Sequence, residues 1–317
     1  MFSEAGYRAL TTGCGYVRRA DRGVLRVAGA DRVTWLQGLL TNDVAALGPG
    51  EAGYAAYLTP QGRMTSDMRV VALPDAVLMD VPSPLAASLR ERLEGLVFAE
   101  DVHVDDLSSS VLVVDLHGPS SSDAVEALKD HLSPVDHVVR DRSSGATAWA
   151  MYVPRDGVPA VVDALAELDV LEVSLATLEV VRIEAGIPRF LVDMREDTIP
   201  LEAGIEDRAI SFTKGCYVGQ EIIVRVVQRG SGRVARRLVG FAFSDGETGL
   251  AGDRVVSAGR DVGRLTSVAW SPTLGHAIAL GYVHRDFVEP GTGLEVVSED
   301  RRVPATVAAL PFVRRES

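Results

Sequence analysis

Cysteine is nearly absent from this sequence: two residues in 317, Cys14 and Cys216. Two thiols cannot build a disulfide framework or a four-cysteine zinc site, which points to a reducing compartment and leaves each thiol as packing or chemistry. Lysine is scarcer than the charge suggests, since Lys129 and Lys214 are the only lysines among 32 basic residues. Long apolar runs are missing too. The longest, such as 277–283, fall far short of the ~20 residues that a membrane-spanning helix needs. The first ten residues carry Glu4 and Arg8 and lack the basic-then-apolar order of a signal peptide. The six histidines show neither H-x-x-x-H nor H-E-x-x-H spacing, and C-x-x-C, G-x-S-x-G and Walker patterns are absent. Common zinc, esterase and nucleotide-hydrolysing chemistries are thereby disfavoured. The expectation is a cytoplasmic protein with no membrane segment.

What is present is an ordinary globular composition, 47% hydrophobic and 24% charged, with a formal net charge of −12. The length suits two or three domains. The acidity argues against bulk nucleic-acid or anionic-membrane binding, though not against a local basic site. Strand patterns at 23–27, 54–58, 68–73 and 76–81 alternate with helical ones, the first opening at Ser83-Pro84 and covering 85–97. Two further strand–helix cycles follow, 111–116 with 122–131 and 148–153 with 158–168. Ser174 opens a helix through Leu175, Leu178, Val181 and Ala185 that Gly186 and Pro188 stop. The stretch 188–213 reads as a long irregular loop, a length that usually carries function or disorder. Beyond about 235 short strands separated by Gly-containing turns suggest a small β-barrel or sandwich.

Charge is uneven. From Arg208 to Gly240 lie seven basic residues, Arg208, Lys214, Arg225, Arg229, Arg233, Arg236 and Arg237, against the single acid Glu221. Such a reversal suits a small anionic ligand or an acidic partner, or else is a solvated helix face with a basic linker. Inside it runs Lys214-Gly215-Cys216-Tyr217-Val218-Gly219-Gln220-Glu221. A lysine beside Cys216, near the start of a helix over 219–228, is an arrangement that lowers a thiol pKa. A buried, inert cysteine is the plainer alternative.

This octapeptide resembles the K-G-C-[FY]-x-G-Q-E signature of the YgfZ family, folate-binding proteins implicated in iron–sulfur cluster maintenance and related to the glycine-cleavage T-protein, an aminomethyltransferase. Three more segments are similar in the same order: Leu36-Gln37-Gly38-Leu39-Leu40-Thr41-Asn42-Asp43, Leu58-Thr59-Pro60-Gln61-Gly62-Arg63 with Asp67 downstream, and Arg182-Ile183-Glu184-Ala185-Gly186-Ile187-Pro188. The tail, through Gly263-Arg264-Leu265-Thr266-Ser267 and Ser271-Pro272, resembles the T-protein's C-terminal barrel. The resemblance implies an α+β fold: two related α/β lobes in a folate-binding region over 1–235, and a β-barrel over 236–317, around a central opening.

It also implies tetrahydrofolate, or a one-carbon derivative of it, as ligand. A pterin presents adjacent N–H donors that one carboxylate accepts as a pair, and Glu184 is the candidate, unless it is an ordinary exposed helix residue. An anionic glutamyl tail wants arginine, with Arg225 preferred. Asp67 matches the T-protein carboxylate near the reactive nitrogen and is the candidate for proton transfer or charge stabilisation. Asn42 and Asp43 either line the site or form a turn; Tyr217 and Gln220 are expected beside the ligand. Cys216, with Lys214, is the expected functional thiol. The implied function is folate binding in support of iron–sulfur assembly or client proteins. The alternatives are folate-dependent aminomethyl transfer, and an RNA-associated module, which the lack of aromatics among the arginines disfavours. Whether the chain is an enzyme is left open at this stage.

Overall fold

The computed structural model describes residues 1–133, 136–141, 148–229, 233–244, 246–299 and 301–315. The side chain of Arg229, one of the seven cations of the basic segment, lies outside the described residues.

The chain begins with α1 (Glu4–Thr12), β1 (Gly15–Arg18), β2 (Arg22–Ala28), α2 (Arg32–Leu39), β3 (Ala52–Leu58), β4 (Met64–Ala72) and β5 (Ala76–Pro82). Next come α3 (Ala86–Glu94), β6 (His103–Asp106), β7 (Val111–His117), α4 (Ser121–Leu128), β8 (His137–Asp141) and β9 (Ala148–Pro154). Then follow α5 (Val158–Glu167), β10 (Leu171–Glu172), α6 (Leu175–Glu184), the one-turn α7 (Pro200–Ala203) and α8 (Glu206–Ala209), and α9 (Gln220–Arg229).

The strands form two five-stranded sheets, ordered β3-β4-β5-β2-β6 and β10-β1-β7-β9-β8. Each sheet carries helices on its outer face. Trp35 and Leu36 of α2 and Leu89 and Leu93 of α3 pack on the first; α4 and α5 place Leu128, Val161 and Leu165 on the second. The inner faces meet through Val24, Val71 and Leu78 from one sheet and Val113, Val139 and Tyr152 from the other. A strand covered on both faces loses the polar–apolar alternation of a half-exposed one. Accordingly β5 is buried at every position and β4 at all but Thr65. Consecutive β1 and β2 belong to different sheets, so the chain crosses between lobes at Arg19–Asp21.

The last strands, β11 (Arg236–Phe243), β12 (Arg254–Ser257), β13 (Arg260–Ser271), β14 (His276–His284), β15 (Gly293–Ser298) and β16 (Arg301–Ala308), close into a six-stranded barrel, with β16 pairing back onto β11. Phe241, Leu265, Ala279 and Val296 fill it. The fold is thus the α+β arrangement of two lobes and a C-terminal barrel. The stretch 188–213 differs from the loop that its composition suggests. Phe190, Met194, Leu201, Ile205 and Ala209 are buried against Ala56 and Met64 of the first sheet, so apolar anchors at irregular spacing hold it without a regular period.

Candidate functional site

A gap between the two sheets is lined by residues of both, and α6 forms one of its walls. Ser174 caps α6, its hydroxyl accepting from the Thr177 N–H at 3.3 Å, and Gly186 at φ +68° ends it. Leu175, Leu178, Val181 and Arg182 share the face at helical spacing that looks into the gap. With Ile187 and Pro188 they make an apolar wall. The cavity volume is about 130 Å³.

Asp67 and Arg69 point inward from β4, Tyr54 from β3, and Arg22 from the start of β2. Tyr54 donates its hydroxyl to Asp67 Oδ2 at 2.7 Å. Burial, then the neighbouring Asp67 charge, drives the Tyr54 phenol well above its ordinary range, so it remains a neutral donor. Arg22 Nη1 lies 3.7 Å from Asp67 Oδ1, too far for a hydrogen bond. That oxygen is buried and has no donor among the described residues. Arg208 stacks over the Tyr54 ring, 4.8 Å from its centroid, and lines the cavity as well.

Beneath lies a buried ionic floor. Arg69 bridges Asp80 at 3.0 Å and Asp115 at 3.1 Å, Arg19 pairs with Asp115 at 2.5 Å, and Arg22 pairs with Asp80. Burial alone would raise the Asp115 carboxyl, but Arg69 and Arg19 outweigh it and hold it well below the usual carboxylate range. These ions tie the lobes together, because Arg69 and Asp80 come from the first sheet and Asp115 from the second.

Asp67 is the one expected catalytic residue on the cavity wall. Lys214 is elsewhere: its ammonium donates to the carbonyls of Gln37, Leu40 and Asn42 at 2.7, 2.7 and 2.9 Å, clamping the C-terminal end of α2. Burial brings its pKa down to about 8. Committed to three carbonyls, it clamps the loop of the motif to the end of α2. Cys216 is exposed on the same loop and does not line the cavity. Tyr217 is buried among Leu58, Met64 and Ile223, its phenol pushed up to about 12 by burial. Gln220 starts α9. Gly219 has φ +83°, and a Cβ there would sit 2.5 Å from the Thr59 carbonyl. Much of the motif is therefore architecture.

The early motif is its counterpart. Val218 N–H donates to the Gly38 carbonyl at 3.2 Å and Ser211 N–H to that of Thr41 at 3.1 Å. Asn42 donates to the carbonyls of Tyr54 and Arg208 at 2.8 and 3.0 Å, which fixes the backbones of two cavity residues. Asn42 also borders a second recess that shares Tyr54, Arg69, Asp141 and Arg208 with the cavity. Asp43 accepts from Gln37 Nε2 and the Ala46 N–H, closing a turn.

Two expectations are corrected by geometry. Glu184 is fully buried, yet its oxygens already accept from Tyr7 at 2.8 Å and from Ser271, and pair with Arg315, so none faces the cavity. Arg225 is exposed on α9, paired with Glu221 one turn back at 2.6 Å. Tyr54, Arg22 and Arg69 were not foreseen as site residues, and Arg208 entered only as one member of the basic segment. A charge such as Arg69 within the apolar run Met68–Val71 was the available signal, since a buried charge must have partners.

Among the described residues no helix is long and apolar enough to cross a membrane, and no group of three or more His, Cys, Asp or Glu is placed to hold a metal ion. Residues 2–214 match the GCVT N-terminal domain and residues 236–314 the glycine cleavage T-protein C-terminal barrel domain. An aminomethyltransferase of Saccharopolyspora erythraea is 30% identical, the alignment covering 99% of this chain and 90% of that protein. A probable aminomethyltransferase of Natronomonas pharaonis is 34% identical, over 92% and 85%. In fold the chain is similar to the glycine cleavage system aminomethyltransferase T of Bartonella henselae, with a TM-score of 0.89 at 20% identity, covering 98% of this chain and 90% of that one.

Proposed function

The chain belongs to the glycine cleavage T-protein family, and from that premise we propose that its cavity binds tetrahydrofolate and that it acts as a folate-dependent aminomethyltransferase in the cytoplasm. The observation that carries this reading is Asp67: a buried carboxylate oxygen with no donor among the described residues, facing a cavity beside a neutral phenol. The surroundings fit a reduced folate. Leu175, Leu178 and Val181 offer a flat apolar wall for its rings, Asp67 Oδ1 offers an acceptor for an N–H, and Arg208 offers positive charge to an anionic tail.

Bound there, tetrahydrofolate supplies the nitrogen that accepts the one-carbon unit. Asp67 stabilises positive charge that develops on a nitrogen held against its free oxygen, or takes up that nitrogen's proton. Tyr54 holds the carboxylate in place, and the Arg69–Asp115 floor keeps the facing sheets rigid. The assay is release of ammonia and a folate-bound one-carbon unit from an aminomethyl-loaded carrier protein. Removing one preorganised electrostatic group typically costs ~10²–10³ in kcat, so Asp67→Asn is expected to lose activity on that scale. An inactive wild type with functional carrier contradicts the reading.

A second reading, a YgfZ-like role in iron–sulfur enzyme maintenance, is supported by one feature, the exposed Cys216 within the K-G-C-Y-V-G-Q-E segment. Its test is Cys216→Ala in cells: iron–sulfur enzyme activities fall while folate binding persists. Unchanged activities exclude the thiol role.

A further inference from the structure

We propose that His117 is a ligand-contacting residue of the cavity, its free imidazole nitrogen pairing with an uncharged polar group of the bound molecule. This rests on the folate reading and adds a contact from the second sheet to that of Asp67 on the first.

His117 ends β7, and its side chain lines the cavity. The residue is 6% exposed, and its Nε2 has no hydrogen-bond partner among the described residues. A buried polar atom without a partner is uncommon and carries a cost that a partner would relieve. Its position is rigid. β7 is interior to the sheet, with His117 paired to Gly15 on one side and Ala148 on the other. Gly118 then turns at φ +115°, packed so closely that a Cβ would sit 2.4 Å from the Gly13 carbonyl. Cross-strand neighbours share a face, and beside Gly15 that face is packed by Val173 and Leu10, which holds the ring against the cavity that it lines.

The surrounding charges select the kind of group that fits. Asp115, on the same face of β7, has Oδ2 3.9 Å from Nε2, but that carboxylate is taken by Arg19 and Arg69. Asp141 of β8 lies 3.8 Å from Arg69. Two carboxylates and two guanidiniums therefore surround the imidazole. Burial lowers its pKa and, with Arg19 and Arg69, outweighs the pull of Asp115 and Asp141, which keeps it neutral. A neutral imidazole beside balanced charges favours an amide- or amino-type edge of a heterocycle over a carboxylate or phosphate.

The test is calorimetric titration of the full chain with tetrahydrofolate, comparing wild type, His117→Ala and His117→Gln. Glutamine keeps a donor and an acceptor. His117→Ala is expected to weaken binding about tenfold, the worth of one hydrogen bond, and His117→Gln to stay within about threefold. Thermal midpoints of the ligand-free variants report the packing lost with the buried ring, so a fall in affinity is read on protein shown to be folded at the titration temperature. Equal affinity for wild type and His117→Ala overturns this assignment and leaves the folate reading standing, whereas no binding by wild type overturns both. If His117→Ala does not fold, the His117 ring resonance, identified by its loss in His117→Gln, decides: it shifts on saturation with tetrahydrofolate, or the assignment fails.

Discussion

Replacing Arg315 by alanine isolates the buried charge that joins both ends of the chain to the barrel. Glu184, fully buried at the end of α6, accepts from the hydroxyls of Tyr7 in α1 and Ser271 in β13, and pairs with Arg315 in the C-terminal tail. Arg315→Ala leaves that carboxylate with two neutral donors and no counter-charge. Breaking a buried ion pair by removing one partner costs ~3–5 kcal/mol. The two remaining hydroxyls, and the water that the 14%-exposed Arg315 position admits, place this case at about 3 kcal/mol. At ~2–4 °C per kcal/mol for a large domain, the thermal midpoint falls by roughly 6–12 °C. Urea and thermal unfolding followed by circular dichroism read the effect. In a Glu184→Gln background the charge is gone, so the same substitution costs under ~1 kcal/mol if the pair is the cause. A loss below ~0.5 kcal/mol for Arg315→Ala, or strict additivity in the double variant, refutes the reasoning.

Burial pushes the Cys14 thiol up to about 11, while Cys216 is exposed. At pH 8 about one Cys14 in a thousand is thiolate, so a disulfide reagent finds one fast thiol per chain, and Cys216→Ala removes it. Two fast thiols would contradict the burial of Cys14. Because the folded-state pKa of Asp115 is depressed, its contribution to stability is present above the unfolded value of about 3.9 and is lost as pH falls below it. Unfolding midpoints measured from pH 6 down to 3 should drop steeply below pH ~4 for wild type and less steeply for Asp115→Asn. The two motif glycines should behave differently. Gly219→Ala meets the Thr59 carbonyl at 2.5 Å and costs roughly 2 kcal/mol or more, whereas Gly215→Ala enters open space and stays within ~0.5 kcal/mol by urea titration.

The β-rich tail was legible in sequence because barrel strands keep an inside and an outside: β15 and β16 alternate along much of their length. The interior strands gave less away. β4 and β5, buried on both faces, show no period that assigns a residue to helix, lid or cavity. The two-residue β10 and the four-residue β1 are too short to pattern at all. At the site, motif spacing led to Asp67, which a β-strand presents inward. It misplaced Lys214, Arg225 and Glu184, because a charge and a spacing do not say which way a side chain is held. Lys214 finds carbonyls from residues 37–42, and Glu184 finds Arg315 131 residues away. Such partnerships exist only after folding. The cavity itself is a gap between two sheets, and gaps leave no mark in a sequence.

The central claim, that a reduced folate lies between the two sheets against Asp67, is tested most directly by a crystal structure of the protein grown with tetrahydrofolate. The account predicts ligand density beneath α6 with a ring N–H within hydrogen-bond reach of Asp67 Oδ1. A cavity that stays empty at saturating ligand, or folate bound away from Asp67, contradicts it.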